Sequence, residues 1–203
     1  MNSGVTAERV YDALKRRLLS GDLLPGERLE PARFAAELTS SVTPVRDALN
    51  RLEGERLVET RASEGFHLPL IAEPMLRDLY HWNAALLRLI TRSWQSGPAV
   101  VRADALPVDL GRAVPAFFSL FAARSRNREH TAQIAATNDR LATARVAETF
   151  ALDALEDELR GLAVAFDQDS LAGLLRQVER YHRRRLIAAP RILRALYDPR
   201  LRQ

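Results

Sequence analysis

Residues 34–60, FAAELTSSVTPVRDALNRLEGERLVET, decide the fold of the N-terminal part of the chain. This segment contains two apolar stripes at helical spacing, separated by three small polar residues. The stripes are Phe34, Ala35 and Leu38 in the first half and Val45, Ala48, Leu49 and Leu52 in the second. The separating residues, Thr39-Ser40-Ser41, are too few for a long loop. The pattern therefore predicts a close helix-turn-helix pair, with Ser41 capping the second helix.

The residues before this pair predict one more helix and a tight turn. Residues 6–19 carry an apolar stripe on one face, made of Val10, Tyr11, Leu14 and Leu18. Gly21 ends this helix, and Leu24-Pro25-Gly26 favours a turn. We expect Leu29 to bring the chain back to the core and Pro31 to occupy the first turn of the next helix.

Two short strands, residues 57–61 and 66–68, are predicted after the pair. The connection between them is Ala62-Ser63-Glu64-Gly65, in which Gly65 permits a positive φ. A hairpin that follows a helix-turn-helix pair is a wing. Residues 1–70 are therefore predicted to form a winged helix-turn-helix domain, and sequence-specific DNA binding is the first function to test.

The polar face of the second helix of the pair is the candidate DNA contact. It holds Thr43, Arg46, Asp47 and Asn50. Arginine binds guanine bidentately in the major groove, and short polar side chains contact phosphates or base edges. Two plainer interpretations stay open: Ser41 and Thr43 serve only as helix caps, or Arg46 pairs locally with Glu53 or Glu59.

This part of the chain resembles the GntR-type bacterial transcriptional regulators. The resemblance lies in three pieces that follow one another in the family's order: VYDALKRRLLSGDLLPGERL at 10–29, the segment 34–60 quoted above, and ASEGFHL at 62–68. It implies that Ser41, Thr43 and Arg46 contact DNA, together with the wing at Gly65.

The sequence departs from the family pattern at three places. Val42 stands where family members usually have an arginine, and Arg56 stands where a glycine normally follows the recognition helix. Pro31-Ala32 replaces a common Glu-Arg pair, so Arg33, one place later, is the candidate substitute for the missing arginine. These departures leave open a second hypothesis, in which the winged domain has lost its DNA affinity and serves as a protein-interaction module.

Residues 71–203 have helical spacing and no strand-like stretch. Pro69 and Pro74 bound a short extended linker, and a break is predicted at Gly97-Pro98. The predicted helices are 73–96, 107–124, 126–146, 148–167, 169–187 and 190–197, which favour an antiparallel bundle. This remainder resembles the FadR-like branch of the family. The resemblance implies an all-helical, FCD-like domain that binds an effector and mediates dimerisation.

Bundles of that branch often hold a divalent metal on one aspartate and three histidines, beside a small carboxylate effector. His130 and His182 are the matching histidines here, whereas Arg126 and Arg160 stand at two of the other ligand positions. The ligand set for a divalent metal is therefore incomplete. A structural role for each histidine is the competing interpretation.

Direct binding of an acid effector by arginine is an alternative to the metal, because guanidinium binds carboxylate bidentately. Arg88, Arg145 and Arg160 are the candidates, and the spacing does not tell which of them faces inward. The run Arg183-Arg184-Arg185 is interpreted as a solvated helix end close to its carbonyl dipole.

Composition predicts a cytoplasmic protein whose DNA-binding part is nearly neutral. The 203 residues include no cysteine and no apolar run near the roughly 20 residues that span a bilayer. Residues 1–70 hold 10 Lys and Arg against 11 Asp and Glu, whereas the last 28 residues hold 9 against 2. A near-neutral domain binds DNA weakly unless its arginines gather on one face or the protein dimerises.

These observations predict a homodimeric regulator that binds palindromic double-stranded operator DNA and responds to a small-molecule effector, expected to be an organic acid. A helical small-molecule-binding protein or enzyme with an attached domain is a further alternative. The sequence offers no nucleophile with a supporting base, no glycine-rich phosphate loop and no supported carboxylate pair, so we expect no catalysis.

Overall fold

The computed structural model describes residues 3–97, 109–198 and 200. The chain divides into two compact units, one of Met1–Ile71 with Tyr197–Gln203 and one of Ala72–Leu196. In the described residues, the first unit holds three helices and a two-stranded sheet, and the second unit is helical. These elements confirm the expected fold class, a winged helix-turn-helix followed by an all-helical part.

The helices of the N-terminal unit pack around one apolar core. They are α1 (Ser3–Leu19), α2 (Pro31–Glu37) and α3 (Val42–Gly54). The predicted stripes are buried, except that Leu38 packs half-buried against the core. Burial of one such side chain contributes about 1.5–3 kcal/mol, so the apolar side of α3 is held firmly against α1 and α2.

A left-handed residue other than glycine ends each helix of the pair. After α3, Arg56 has a φ of 62°, and the amides of Arg56 and Leu57 donate to the carbonyls of Glu53 and Leu52. After α2, Thr39 takes the same place with a φ of 50°. This hydrogen-bonded helix end favours glycine at the left-handed position. The backbone is therefore strained at both residues.

The predicted wing is formed by β1 (Glu59–Arg61) and β2 (Gly65–His67), which pair antiparallel with Thr60 opposite Phe66. Strand β1 begins two residues later than predicted and ends at the predicted residue, whereas β2 lies one residue earlier than predicted, because Gly65, at a φ of 83°, already begins it. The amide of Leu29 donates to the carbonyl of Phe66 at 2.8 Å. Leu29 is buried in the core, as predicted.

The helical unit contains α4 (Glu73–Thr91), α5 (Leu110–Ala123), α6 (Arg128–Arg140), α7 (Ala142–Ala151), α8 (Leu155–Asp167) and α9 (Leu171–Leu196). The long α9 packs against α4, α7 and α8. It runs antiparallel to α4, since Arg88 near the end of α4 pairs with Glu179 near the start of α9. Pro98 and residues 107 and 108, which belong to predicted features, lie outside the described residues.

The path of α9 corrects one prediction. We expected separate helices over 169–187 and 190–197, whereas α9 continues through Pro190. A proline leaves the carbonyl four residues earlier without its helical donor. That carbonyl, on Leu186, accepts a hydrogen bond from Nη1 of Arg77 on α4 at 2.6 Å. A neighbouring helix therefore supplies the missing donor, and the helix is not interrupted.

Other predicted helices also have different bounds, and the one predicted over 73–96 ends at Thr91. The segment 126–146 is divided between α6 and α7, which meet at Leu141, although its amide still donates to the carbonyl of Thr137. The segment 148–167 becomes helix α8 only at Leu155, because α7 continues to Ala151 and Leu152 is extended. Apolar periodicity locates buried faces and continues through such short connections, so it misplaces the helix ends.

Aromatic side chains dominate the core of the helical unit. Phe117, Phe118, Phe121, Phe166 and Tyr181 are buried in one cluster. Phe117 lies edge-on to Phe118 and to Phe166, with ring centroids 5.7 and 5.6 Å apart. Among the described residues, no helix combines the length and the apolar character needed to cross a bilayer.

Candidate nucleic-acid interface and buried charged cluster

The polar side of α3 is exposed to solvent. It carries Thr43, Arg46, Asp47 and Asn50, all of which are exposed, opposite the buried stripe of the same helix. We call these four residues the recognition face. Because the apolar stripe is held in the core, the orientation of this face is fixed by the packing of the N-terminal unit. A helix that enters the major groove requires such a fixed orientation.

Arg46 differs from Arg33, Arg51 and Arg61, whose guanidinium groups pair with carboxylates. Its guanidinium has no hydrogen bond or ion pair with any residue that the structure describes. The proposed local pairs with Glu53 or Glu59 are not formed, because Glu53 accepts from the amide of Thr60 at 3.0 Å and Glu59 binds Arg61 at 2.6 Å. The charge of Arg46 is therefore available to a partner outside the described chain.

Arg33, the candidate substitute for the missing arginine, is held by two carboxylates. Its Nε donates to Glu37 at 2.9 Å, and its Nη1 donates to Glu27 at 3.3 Å. The hydrogen bonds to Glu37 and Glu27 raise the pKa of Arg33. These carboxylates compete with phosphate for the guanidinium, so a role of Arg33 in DNA binding stays a prediction.

The start of α3 offers a hydroxyl and an apolar side chain to solvent. Ser41 occupies the N-cap position with extended backbone, as predicted, but its hydroxyl makes no capping hydrogen bond with the described helix. Val42 follows it and is 39% exposed. Helix capping alone therefore does not account for Ser41.

Gly65 is required by its backbone conformation. At its φ of 83° a side chain is strained, whereas a Cβ added there would meet no described atom within 4 Å. The space beside the wing is open at this position, so another molecule can approach the backbone closely.

The helical unit buries a charged cluster around Arg185. Nε of Arg185 donates to Glu148 at 2.9 Å, and Nη1 donates to Glu158 at 2.7 Å. The hydroxyl of Tyr80 donates to the other oxygen of Glu148 at 2.7 Å. Burial opposes the charge of Arg185, but the Glu148 carboxylate raises the pKa of Arg185 above its usual value. The prediction of a solvated helix end at 183–185 is therefore wrong for Arg185, because α9 continues past this run and turns this side chain inward.

Of the three arginines considered for an acid effector, Arg145 faces inward. Its side chain is buried, with the residue 2% exposed. Arg88 and Arg160 are exposed and bind surface carboxylates, those of Glu179 and Asp157. The tertiary structure thus selects Arg145 from a set that sequence spacing could not separate.

His182 is buried in a polar contact with α4. Its ring nitrogens lie 2.7 Å from the carbonyl oxygen of Val178 and 2.9 Å from Oδ1 of Asn83. Two such acceptors favour the charged ring, but burial outweighs them and lowers the pKa of His182 to about 3, and the charges of Arg185 and Arg145 act in the same direction. The ring is therefore neutral at physiological pH.

His130 belongs to a different group of side chains. Its Nδ1 lies 2.7 Å from Oγ of Ser125, which is 2.8 Å from Oγ of Ser93. His130 and His182 thus have separate hydrogen-bond partners. Within residues 3–97, 109–198 and 200, no group of three or more His, Cys, Asp or Glu side chains is placed to hold a metal ion. The described residues therefore do not fit the metal site that the family resemblance implies.

Sequence reasoning missed the inward position of Arg185 and the exposure of Val42. A signal for Arg185 was present, because it falls on the apolar stripe of α9, one turn after Tyr181 and one turn before Ala189. A charged residue inside such a stripe is expected to have a buried partner. No comparable signal marked Val42, whose exposure depends on the packing of α3.

Comparison with known proteins relates the N-terminal unit to one family. Residues 6–68 match the family described as "Bacterial regulatory proteins, gntR family". The Nta operon transcriptional regulator of Aminobacter aminovorans is 44% identical over 62 residues, which are 30% of each chain. The HTH-type transcriptional regulator McbR of Escherichia coli (strain K12) is 34% identical over 71 residues, 35% of this chain and 32% of that one. The alignments thus span about a third of these curated relatives.

The likeness of fold extends over most of the chain. A structure of E. coli McbR/YncC matches with a TM-score of 0.71 at 18% identity, covering 91% of this chain and 97% of that one. A putative GntR transcriptional regulator from Rhodococcus sp. RHA1 matches with a TM-score of 0.74 at 19% identity, covering 93% and 98%. Identity this low shows a shared fold. The N-terminal unit is therefore similar in sequence to the gntR family over residues 6–68, and the chain has a fold that is also found in these two structures.

Proposed function

We propose that this protein is a DNA-binding transcriptional regulator that binds operator DNA through the recognition face of α3 and the wing. One observation carries the proposal: Arg46 is exposed on the recognition face and has no partner among the described residues. An arginine in this position reaches guanine edges or phosphates when α3 lies in the major groove. The match of residues 6–68 to the gntR family supports the same use of this surface.

The proposed DNA-binding form is a homodimer, with residues 1–70 of each copy on one half-site. The N-terminal residues are nearly neutral in charge, and Arg33 and Arg61 are tied to carboxylates. One copy therefore offers little electrostatic attraction to phosphate. Two copies on a palindromic operator double the contacts, with half-sites about one helical turn apart.

The proposed role of residues 71–203 is to bind a small organic acid and to change operator affinity. The helical unit buries charged residues, and this favours an effector that itself carries a charge. Coupling requires that the effector bind two arrangements of the dimer with different affinities. No turnover of the effector is part of this proposal.

The test compares the wild-type protein with Arg46→Ala on the DNA upstream of its own gene, by fluorescence anisotropy across a salt series. We expect Arg46→Ala to lower the affinity about tenfold or more, because each lost bidentate contact costs roughly 1–3 kcal/mol. Arg176→Ala is the matched control, since Arg176 is an exposed arginine on α9 in the other unit. It should bind DNA like the wild type.

If Arg46→Ala and the wild type bind DNA with equal affinity, the proposal that the recognition face contacts DNA is wrong. A shallow salt dependence shared by all three proteins would instead favour a protein-interaction module, because contact with phosphates releases counterions and makes binding depend steeply on salt.

A further inference from the structure

One tyrosine hydroxyl holds the start of the linker to the end of the chain. The N-terminal unit ends at Ile71, and the chain rejoins it at Tyr197. The amide of Ile71 donates to the hydroxyl of Tyr197 at 2.9 Å, and the same hydroxyl donates to the carbonyl of Ile71 at 3.1 Å. We call this pair of hydrogen bonds the strap. A single side chain thus satisfies both backbone polar groups of one linker residue.

The strap joins two segments that are remote in sequence and is open to solvent. Ile71 and Tyr197 are 126 residues apart, so nothing local brings them together. Tyr197 is 38% exposed and belongs to neither of the described core clusters. Because water competes for both hydrogen bonds, the strap can open at a small cost in free energy and without disruption of an apolar core.

The residues just before the strap are held by the turn that contains Gly26. The amide of Gly26 donates to the carbonyl of Leu68 at 2.9 Å. The side chain of Leu70 covers this turn so closely that a Cβ added to Gly26 would lie 2.7 Å from its Cδ2. The linker is therefore fixed to the N-terminal unit as far as Leu70, and the strap extends this attachment by one residue, to Ile71.

The direction in which the linker leaves the N-terminal unit bears on the homodimer proposed above. Both recognition faces must meet half-sites at one separation and one rotation about the duplex. One added base pair turns a half-site by roughly 35° about the axis of the duplex. A linker with a fixed exit direction resists such a change, whereas a linker with a free exit direction follows it.

We propose that Tyr197 is a positioning residue for operator binding. The strap fixes the exit direction of the linker at Ile71 and thereby restricts the spacing of the half-sites that the dimer accepts. Tyr197 acts through the linker and not by contact with DNA. The proposal goes beyond the proposed function and rests on it for its biological meaning.

The first experiment tests the strap without DNA. Tyr197→Phe removes the hydroxyl and keeps the ring. Hydrogen exchange in the full chain is followed by mass spectrometry on short peptides that contain Ile71. We expect this amide to exchange about tenfold faster in Tyr197→Phe than in the wild type, because its hydrogen-bond acceptor is lost. Tyr11→Phe is the matched control, since it removes a hydroxyl that binds Glu55. It should leave the exchange of Ile71 unchanged.

The second experiment tests positioning, by anisotropy on operators with the native spacing and with one or two added base pairs. We expect one added base pair to lower the affinity of the wild type about tenfold, and that of Tyr197→Phe by about threefold or less. The two proteins should bind the native operator with similar affinity. A loss of stability alone would not give this pattern, because partial unfolding lowers the affinity for every operator by the same factor.

Two outcomes overturn the inference. Equal exchange of the Ile71 amide in Tyr197→Phe and in the wild type would mean that the strap does not form in solution. Faster exchange together with an equal dependence on spacing would refute the positioning role and leave DNA binding by the recognition face intact. Failure of the proposed function is distinguishable, because Arg46→Ala and the wild type would then bind alike at every spacing.

Discussion

The two units of this protein differ in where their polar residues lie. In the N-terminal unit they lie outside the apolar core, and in the helical unit several of them are buried inside it. The described core of the N-terminal unit is almost entirely apolar, with His67 as its buried polar residue, and its candidate contact residues stand outside on α3. The helical unit instead buries Asn83, His130, Thr137, Asn138, Arg145, Glu148, His182 and Arg185. The first arrangement suits a large polyanion that is met at the surface. The second suits a small ligand that is enclosed.

Because of this difference, the two units are stabilised in different ways. An apolar core gains stability from every buried side chain and tolerates exposed charge on its far side. A core with buried ions depends on complete pairing, because each partner left alone is costly. We therefore expect the helical unit to be more sensitive than the N-terminal unit to single changes of charge and to pH.

The largest expected effect is that of Arg185→Met, which leaves the carboxylates of Glu148 and Glu158 buried without their cation. We expect a loss of about 3–5 kcal/mol in the free energy of unfolding, measured by urea denaturation. The control Arg160→Met breaks an exposed pair with Asp157 and should change stability by less than about 1 kcal/mol. A loss equally small for Arg185→Met would mean that the buried network is not what holds the helical unit.

The second prediction concerns acid. His182 has a pKa of about 3 in the folded protein, against roughly 6.5 in the unfolded chain. Between these values the unfolded state binds more protons, so stability is full above about pH 6.5 and falls as the pH is lowered. At pH 5 we expect a loss of about 2 kcal/mol relative to pH 8 from this group. Urea denaturation of the wild type and of His182→Gln at both pH values measures it, and an equal pH dependence in both proteins would contradict the assignment.

The third prediction tests the outer surface of the N-terminal unit. Val42→Arg adds a cation at the exposed start of α3. If this surface faces DNA, we expect severalfold tighter binding and a salt slope steeper by about 1 for each added phosphate contact, measured by anisotropy. Val164→Arg makes the same change at an exposed site on α8 and should leave both quantities unchanged. An equal gain from both variants would indicate a general effect of net charge.

The smallest expected effect lies at the end of α3. Arg56→Gly relieves the left-handed backbone at a φ of 62° and should raise the free energy of unfolding of the N-terminal unit by about 0.5–1 kcal/mol. Gly65→Ala introduces the same kind of strain at a φ of 83° and should lower it by a similar amount. Urea denaturation of both variants provides the measurement. Destabilisation by Arg56→Gly would show that the Arg56 side chain contributes more than its backbone costs.

The sequence predicted most of the N-terminal unit and less of the helical unit. Periodicity and turn residues within a few positions of each other predict the buried stripe of α3, the burial of Leu29 and the wing. They do not predict the continuity of α9 through Pro190, because it depends on Arg77, which lies 109 residues before the carbonyl of Leu186 that it binds. The candidate site follows the same division: exposure of Arg46 on the polar face was predicted, whereas its freedom from Glu53 and Glu59 was not.

By itself the sequence determined which faces of the helices are apolar, where the helix-turn-helix pair lies, and which residues form the polar side of α3. Those properties are local, since side chains three and four positions apart share a face of any helix. The tertiary structure alone decided that Arg145 is buried while Arg88 and Arg160 are not, and that Glu148 and Glu158 meet Arg185 across 37 and 27 residues. The reason is that the partner of a buried charge is chosen by the packing of helices, and that packing brings together residues between which the sequence shows no relation.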